Sequence, residues 1–557
     1  MRAGADKRTG ASSLAPRFAS SAGAWWNAVL VAAMVSVGLA ACHGCHEATP
    51  SSPTAPPVAS TGTPTLRIYF VSDLAGAIEP CGCTKDQLGG LDHAAAWIDA
   101  QKAHAPWSVL VAAGPTFFMD PVLEPDHRAQ DVAKAEALAS SLAHLGLAAW
   151  APAANDWADG APELKKLEDV VHAPGLLANL RADAGVPLLP TRVVTVHGVR
   201  VAFIGVGEPP KTSGLATGSP EDAVKAASQA ARAGGANVVI ALASVGRGEA
   251  KRIADAVPDL TAIVVGDASL RGDTNTPAPS GEAIGKVLIA EAADHLQSVG
   301  ALDLYVRDGS YTFADASGLG EAQKLTELTR RIDELHSRIS NWERDKSIAP
   351  ADLVARRADL DKLEAERAGL SVKPAPAEGS YFRYTLQEIR PSLGQDLAVK
   401  TDLASYYRLV NETNRVELAG RVPVPPAAGQ PGYVGIDRCG GCHTSEKHFW
   451  AKTAHAKAYA TLSDESKEFN LDCVSCHVTG YDRPGGSTVT HVDKLKDVQC
   501  EVCHGPGSLH AESPTTVSIP TPKPGAQMCL SCHHPPHVEG FDAVAKMSAI
   551  LGPGHGR

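Results

Sequence analysis

Four copies of one pentapeptide crowd into the C-terminal end of this 557-residue chain: Cys439-Gly-Gly-Cys442-His443, Cys473-Val-Ser-Cys476-His477, Cys500-Glu-Val-Cys503-His504 and Cys529-Leu-Ser-Cys532-His533. Two thiols at this spacing can add across the two vinyl groups of a haem, and the histidine directly after them can ligate the iron. C-x-x-C also suits tetrahedral zinc, but zinc does not require a histidine immediately after the second cysteine. The repeated full pattern selects haem. The eight cysteines are expected to attach four c-type haems, with His443, His477, His504 and His533 as proximal ligands. Such density limits the fold. Residues 434–557 leave only about 30 residues per haem, too few to wrap each one separately. The haems must pack against one another and serve as the core of a small, mostly helical or irregular domain. Electron transfer with redox partner proteins is then the expected function.

Those iron-ligand residues are concentrated. Eight of the 12 cysteines lie in the four motifs, and 11 of the 21 histidines fall between His443 and His555. The net charge of −11 comes without any long basic run, which argues against nucleic acid as a partner.

The first 42 residues read as an export signal. Arg2, Lys7, Arg8 and Arg17 stand against one acid, Asp6, and the apolar stretch AWWNAVLVAAMVSVGLAAC follows. Leu39-Ala40-Ala41-Cys42 resembles the lipobox of bacterial lipoproteins, in which the cysteine is acylated. The expectation is an exported protein, periplasmic or at the cell surface, held to the membrane by lipid at Cys42. Cys42-His43-Gly44-Cys45-His46 also has the C-x-x-C-H form. It stands before the flexible segment 43–64, with no domain to cover a haem, so lipid is favoured over a fifth haem.

From residue 65 to 420 the texture changes. LRIYFVSD, WSVLVAAG, VRVAFIGVG, NVVIALASVG, LTAIVVGD and KVLIAEA read as buried strands. A helix from Glu221 to Ala233 opens on Ser219 and Pro220 and closes at Gly234-Gly235. Strands alternating with helices imply a layered α/β domain. Leu325, Leu328, Ile332, Leu335, Ile339 and Trp342 keep a heptad seam. It is broken at Ala349-Pro350 and resumed by Leu353, Leu360, Leu363 and Leu370. Residues 318–372 are therefore expected to form an antiparallel helical hairpin. SYFRYTLQEI reads as a returning strand, Asp396 to Asn411 as a helix, and 421–433 as a proline-rich linker.

YFVSDLAGAIEPCGCTKDQLGGLDHAAAWI followed by VLVAAGPTFF resembles the start of the 5′-nucleotidase branch of the metallophosphoesterases. That resemblance implies a site in which two metal ions activate water against a phosphate ester. Its ligand positions have changed here. Asp73 matches the first aspartate, but Ala75, Pro115, Asp156, Ser244, Asp267 and Ser269 stand where ligands or the catalytic histidine are expected, and Asn155 remains. Two isolated ligands cannot hold a dinuclear centre, so the domain is expected to keep the fold without phosphohydrolase chemistry. Cys81-Gly-Cys83 follows the first strand. A labile disulfide, a metal or redox pair and plain thiols all remain open for it.

In the C-terminal region, FWAKTAHAKAYATL, CVSCHVTGYDRPGG, VQCEVCHGPGSLH and GHGR are similar to the tetrahaem cytochrome c family of the hydroxylamine-oxidation pathway. The resemblance implies His455, His510 and His555 as distal ligands. His448, His491, His534 and His537 are the other spare histidines, and Met528 and Met547 the only methionines in the region. Bis-histidine ligation is therefore expected over His/Met. His510 follows His504 by a tight Gly505-Pro506-Gly507 turn, so it is expected to reach an adjacent haem. Three distal ligands for four haems leave one iron that can be five-coordinate, unless His491, His534 or His537 fills it. The alternative function is a reductase acting on a small nitrogen or sulfur oxo-species at that open haem.

Overall fold

The computed structural model describes residues 62–557 apart from 81–86, 182–184, 186, 271, 273–274, 345–348, 371–374, 535–537, 539–540, 553–554 and 556–557. Cys42, Cys45, Cys81, Cys83 and His537 thus lie outside the described residues. Among the described residues, no helix is long and apolar enough to cross a membrane. Val58–Arg557 cluster as one compact unit.

The strands are β1 (Leu66–Ser72), β2 (Ser108–Ala113), β3 (Leu147–Ala151), β4 (Thr191–Val196), β5 (Val199–Gly207), β6 (Val238–Ser244), β7 (Ala262–Gly266), β8 (Glu282–Ile284), β9 (Val287–Ala290), β10 (Ser298–Tyr305), β11 (Ala314–Asp315) and β12 (Tyr381–Glu388). They form two six-stranded sheets, ordered β11-β12-β10-β1-β2-β3 and β4-β5-β6-β7-β9-β8. Alternation within β1 shows why both faces are covered. Leu66, Ile68 and Phe70 enter a core shared with Val201, Phe203, Ile240 and Val264 of the other sheet. Tyr69 and Val71 face helices on the outside. The second sheet carries its own helices on its outer side, against Ala202, Ile204, Val239 and Ile263. The result is a layered α/β fold, as expected.

Local signals hold where a cap or a period acts. The helix Pro220–Ala233 starts at Ser219, whose side chain accepts from Asp222 N. Leu328, Ile332, Leu335, Ile339 and Leu360 are buried between the helices Leu319–Arg344 and Pro350–Leu370. Ion pairs Lys324–Glu366 and Arg357–Glu343 join opposite ends of that pair, so its helices run antiparallel.

The helix capped by Asp396 runs to Glu417, six residues beyond the expected Asn411. The extension has a cause. Asn414 is buried and donates to Gln130 Oε1 and to the Phe469 carbonyl, so this helix continues because the C-terminal region packs on it. The proline-rich 421–433 segment is tied down as well. Gly485 N donates to Val424 O at 2.6 Å, and Gly432 exchanges hydrogen bonds with Ser508.

Candidate haem site

Each motif is built on a helical turn, which places residues i, i+3 and i+4 on one face. Leu471–His477 and Cys500–His504 are α-helical through the motif. In the first and fourth motifs the same turn is closed by His443 N to Cys439 O and His533 N to Cys529 O, both 2.9 Å. Two thiols and one imidazole therefore face the same side in every copy.

The structure then brings histidines from different motifs into pairs. The ring centroids lie 6.4 Å apart for His443 and His510, 6.3 Å for His455 and His533, and 6.1 Å for His504 and His555. Two imidazoles bound at about 2 Å on opposite sides of one metal ion put their centroids roughly 6 Å apart. The spacing fits an iron between each pair. The ring tautomers agree. Nδ1 hydrogen-bonds a backbone carbonyl in His477 (Ala458, 2.5 Å), His504 (Thr521, 2.8 Å), His510 (Val517, 2.7 Å) and His555 (Gly552, 3.3 Å). A proton on Nδ1 puts the ligating lone pair on Nε2. Burial also pushes the His455 and His533 rings toward the neutral form that ligates.

Among the described residues, His477 faces no second imidazole at such a distance. His491 is occupied with the hydroxyls of Thr488 and Thr490. His534 lies near Cys476.

Thiols of different motifs also meet. Cys439 contacts Cys500, and Cys476 contacts Cys532, each within hydrogen-bonding reach. The Cys503 thiol is raised by burial first and also by the neighbouring Cys529.

The turn after the third motif is made differently from expectation. Gly505 takes a left-handed φ of 79°, but Gly507 does not, at −104°. Gly507 is needed for space instead, since a Cβ there would meet Ile519 and Glu501 at 3.1 and 3.3 Å. Glu501, inside the third motif, is buried. Its carboxylate accepts from the backbone N–H groups of Val434, Gly435 and Gly507 at 2.7–3.1 Å. Gln499 beside it accepts from Ile436 N. Neither role was visible in the sequence. Only a buried charge within a haem motif could have hinted at the first.

In the front domain, the positions matched to metal ligands gather at the carboxyl ends of β1, β2, β3, β6 and β7. Their polar atoms serve the fold. Asn155 donates to the carbonyls of Phe118, Met119 and Leu270 and accepts from Leu270 N. Asp156 is fully buried and accepts from Thr116 N, Phe117 N and Ala153 N. Ser244 accepts from Gly114 N and donates to Ala151 O, joining three strands. Asp73 accepts from Asp267 N, and burial raises its carboxyl well above the usual range. Among the described residues, no group of three or more His, Cys, Asp or Glu is placed to hold a metal ion directly. Asp156→Ala should strand three buried donors and cost about 3 kcal/mol or more of stability. Chemical denaturation of the full chain checks this, and a loss under about 1 kcal/mol would contradict it.

Paired imidazoles beside C-x-x-C thiols, joined to a layered α/β domain, define a cytochrome c region fused to a second domain. Residues 438–505 match the family described as cytochrome c554 and c-prime. Cytochrome c-554 of Nitrosomonas europaea is 37% identical over 97 residues, covering 14% of this chain and 41% of that relative. The chain thus spans about two fifths of the length of the curated relative it matches. The cofactor of the C-terminal region is c-type haem. Solved structures similar to the chain include a 5′-nucleotidase precursor from Thermus thermophilus. It is 16% identical with a TM-score of 0.41, covering 65% of this chain and 61% of that one. A calcineurin-like phosphoesterase from Bacillus subtilis is 18% identical with a TM-score of 0.37, covering 44% and 86%. At these values the likenesses decide nothing about residues or reaction.

Proposed function

We propose that the chain is an exported, lipid-anchored tetrahaem cytochrome that transfers electrons, with a front domain that has lost phosphoester hydrolysis. The observation that carries the reading is the three imidazole pairs at 6.1–6.4 Å. On this reading His443 and His510 ligate the first iron, His504 and His555 the third, and His533 and His455 the fourth. His477 would ligate the second iron with no opposing imidazole among the described residues. When bound, c-type haems supply one-electron chemistry at iron. The adjacent thiols Cys439–Cys500 and Cys532–Cys476, with Cys529 in the neighbourhood of Cys503, support an order of first, third, fourth, second along the electron path. That order differs from the order in sequence.

Bis-histidine ligation leaves no open position at three sites. The role of the residues there is to hold potentials and distances rather than to bind a substrate. One observation favours the alternative of a reductase: among the described residues His477 has no opposing ring. For the front domain, the capture of Asn155, Asp156 and Ser244 by backbone groups supports loss of the two-metal chemistry.

One preparation of the full chain tests these points. Its mass should exceed the processed polypeptide by four haems. Its oxidised spectrum should show three low-spin irons and one high-spin. Four low-spin irons would remove the reductase alternative. A polypeptide-only mass would end the haem reading. Metal-dependent hydrolysis of nucleotides above a blank would overturn the front-domain reading.

A further inference from the structure

The motif whose histidine faces no second imidazole among the described residues is also one against which the front domain packs. The helix Arg128–His144 carries Gln130 and Lys134 one turn apart, and both reach the first turn of the attachment helix Leu471–His477. Gln130 Oε1 accepts from Leu471 N at 2.9 Å and also from Asn414 Nδ2. Lys134 Nζ lies 2.8 Å from Asp472 Oδ2, and Asp472 directly precedes Cys473. Only 8% of Lys134 is exposed.

A cation in that position is costly. Burial works against its charge, yet the carboxylates of Asp472 and Asp131 outweigh burial and keep the ammonium protonated. Lys134 gives up nearly all of its water while the Asp472 side chain keeps 40% of its exposure, so the pair contributes little net stability compared with apolar packing. The pair therefore calls for a role beyond holding the two regions together. Tyr406 and Tyr407, from the helix Leu397–Glu417, complete the surroundings beside Cys473, and burial raises both phenols so that they stay neutral.

We propose that Lys134 is a positioning residue of the second haem site, fixing Asp472 and neutralising its charge so that the iron bound at His477 has a raised reduction potential. This rests on the reading that Cys473, Cys476 and His477 hold a haem. The sign follows from charge. Ferric iron carries one more positive charge than ferrous iron. A bare carboxylate nearby stabilises the ferric state and lowers the potential, whereas a cation opposes it. The Lys134 end of the pair is shielded from water and is screened less than a charge at an open surface, whereas Asp472 is partly exposed. The front domain, having lost metal chemistry of its own, would then serve as the electrostatic half of a haem site in the neighbouring region.

The test uses the full chain with Lys134→Met, Lys134→Arg, Asp472→Asn and the double variant Lys134→Met/Asp472→Asn. Haem content is measured first by mass, then each haem is titrated by spectroelectrochemistry. Lys134→Met should lower the midpoint of the haem at the second motif and leave the other three haems in place. Lys134→Arg should restore it. Asp472→Asn should raise it, and the double variant should return it toward the parent value. An unmoved midpoint in Asp472→Asn, or in a fully loaded Lys134→Met, would overturn the proposal, as would an equal shift of all four haems. A parent protein without haem at the second motif would sink the underlying haem reading instead, and mass separates that outcome from the others.

Discussion

Replacing His510 by alanine should leave all four haems attached and convert one low-spin iron to high-spin. The proximal attachment at Cys439, Cys442 and His443 is local and does not need His510, so the covalent count is unchanged. What is lost is the ring 6.4 Å from His443. His504, only six residues from His510, should keep its low-spin signal, because its own partner is His555 at 6.1 Å. Electron paramagnetic resonance of the oxidised protein reads this directly. His510→Met offers a graded version: a thioether in place of the imidazole should keep the iron low-spin and raise its potential. An unchanged spectrum in His510→Ala would remove His510 from the ligand set.

Cys500→Ser with Cys503→Ser should produce the largest functional loss. The third motif stands between the others, with Cys500 against Cys439 on one side and Cys503 near Cys529 on the other. Without it, one haem should be missing by mass and His555 should lose the iron it shares with His504. The first site should be cut off from the fourth and second. Rapid-mixing reduction should then resolve two separate kinetic groups where the parent shows one connected set. Uninterrupted electron equilibration across the three remaining haems would contradict the proposed order. The equivalent pair of changes in the first motif, at one end of that order, should remove a haem without dividing the rest. Comparing the two doubles separates a role in connectivity from simple loss of cofactor.

Much of the front domain was legible because its signals are local. Six apolar runs expected as strands are strands, and each is buried on both faces, so the run itself marks it. Strands β3, β4 and β10 escape that criterion for identifiable reasons. Leu147–Ala151 is short and rich in alanine, and β4 leaves Arg192, Val193 and Thr195 exposed at a sheet edge. β10 contains Gly300, which reads as a breaker. It stands there because a Cβ would meet the Phe70 ring at 2.1 Å. That reason exists only once β1 and β10 are paired.

The same division runs through the haem region. Cysteine, cysteine and histidine at i, i+3 and i+4 share one face of any helical turn, so attachment and proximal ligation are properties of the sequence alone. The tight turn after His504 also spoke for His510 reaching away from its neighbour's iron. Which histidine faces which is another matter. His443 and His510 are 67 residues apart, and His455 and His533 are 78 apart. They meet through loops ordered by contacts such as Glu501 with Val434, Gly435 and Gly507. Lys134 and Asp472 are separated by 338 residues and come from different regions of the chain. No periodicity or spacing joins them, because a salt bridge needs only two opposite charges brought within reach. The sequence by itself determined which thiols and imidazole share one face in each motif and that the apolar runs are buried strands, since those follow from the geometry of single turns and strands. The pairing of axial rings and the charge beside Cys473 were decided by tertiary packing, which alone sets the distance between residues that the chain keeps far apart.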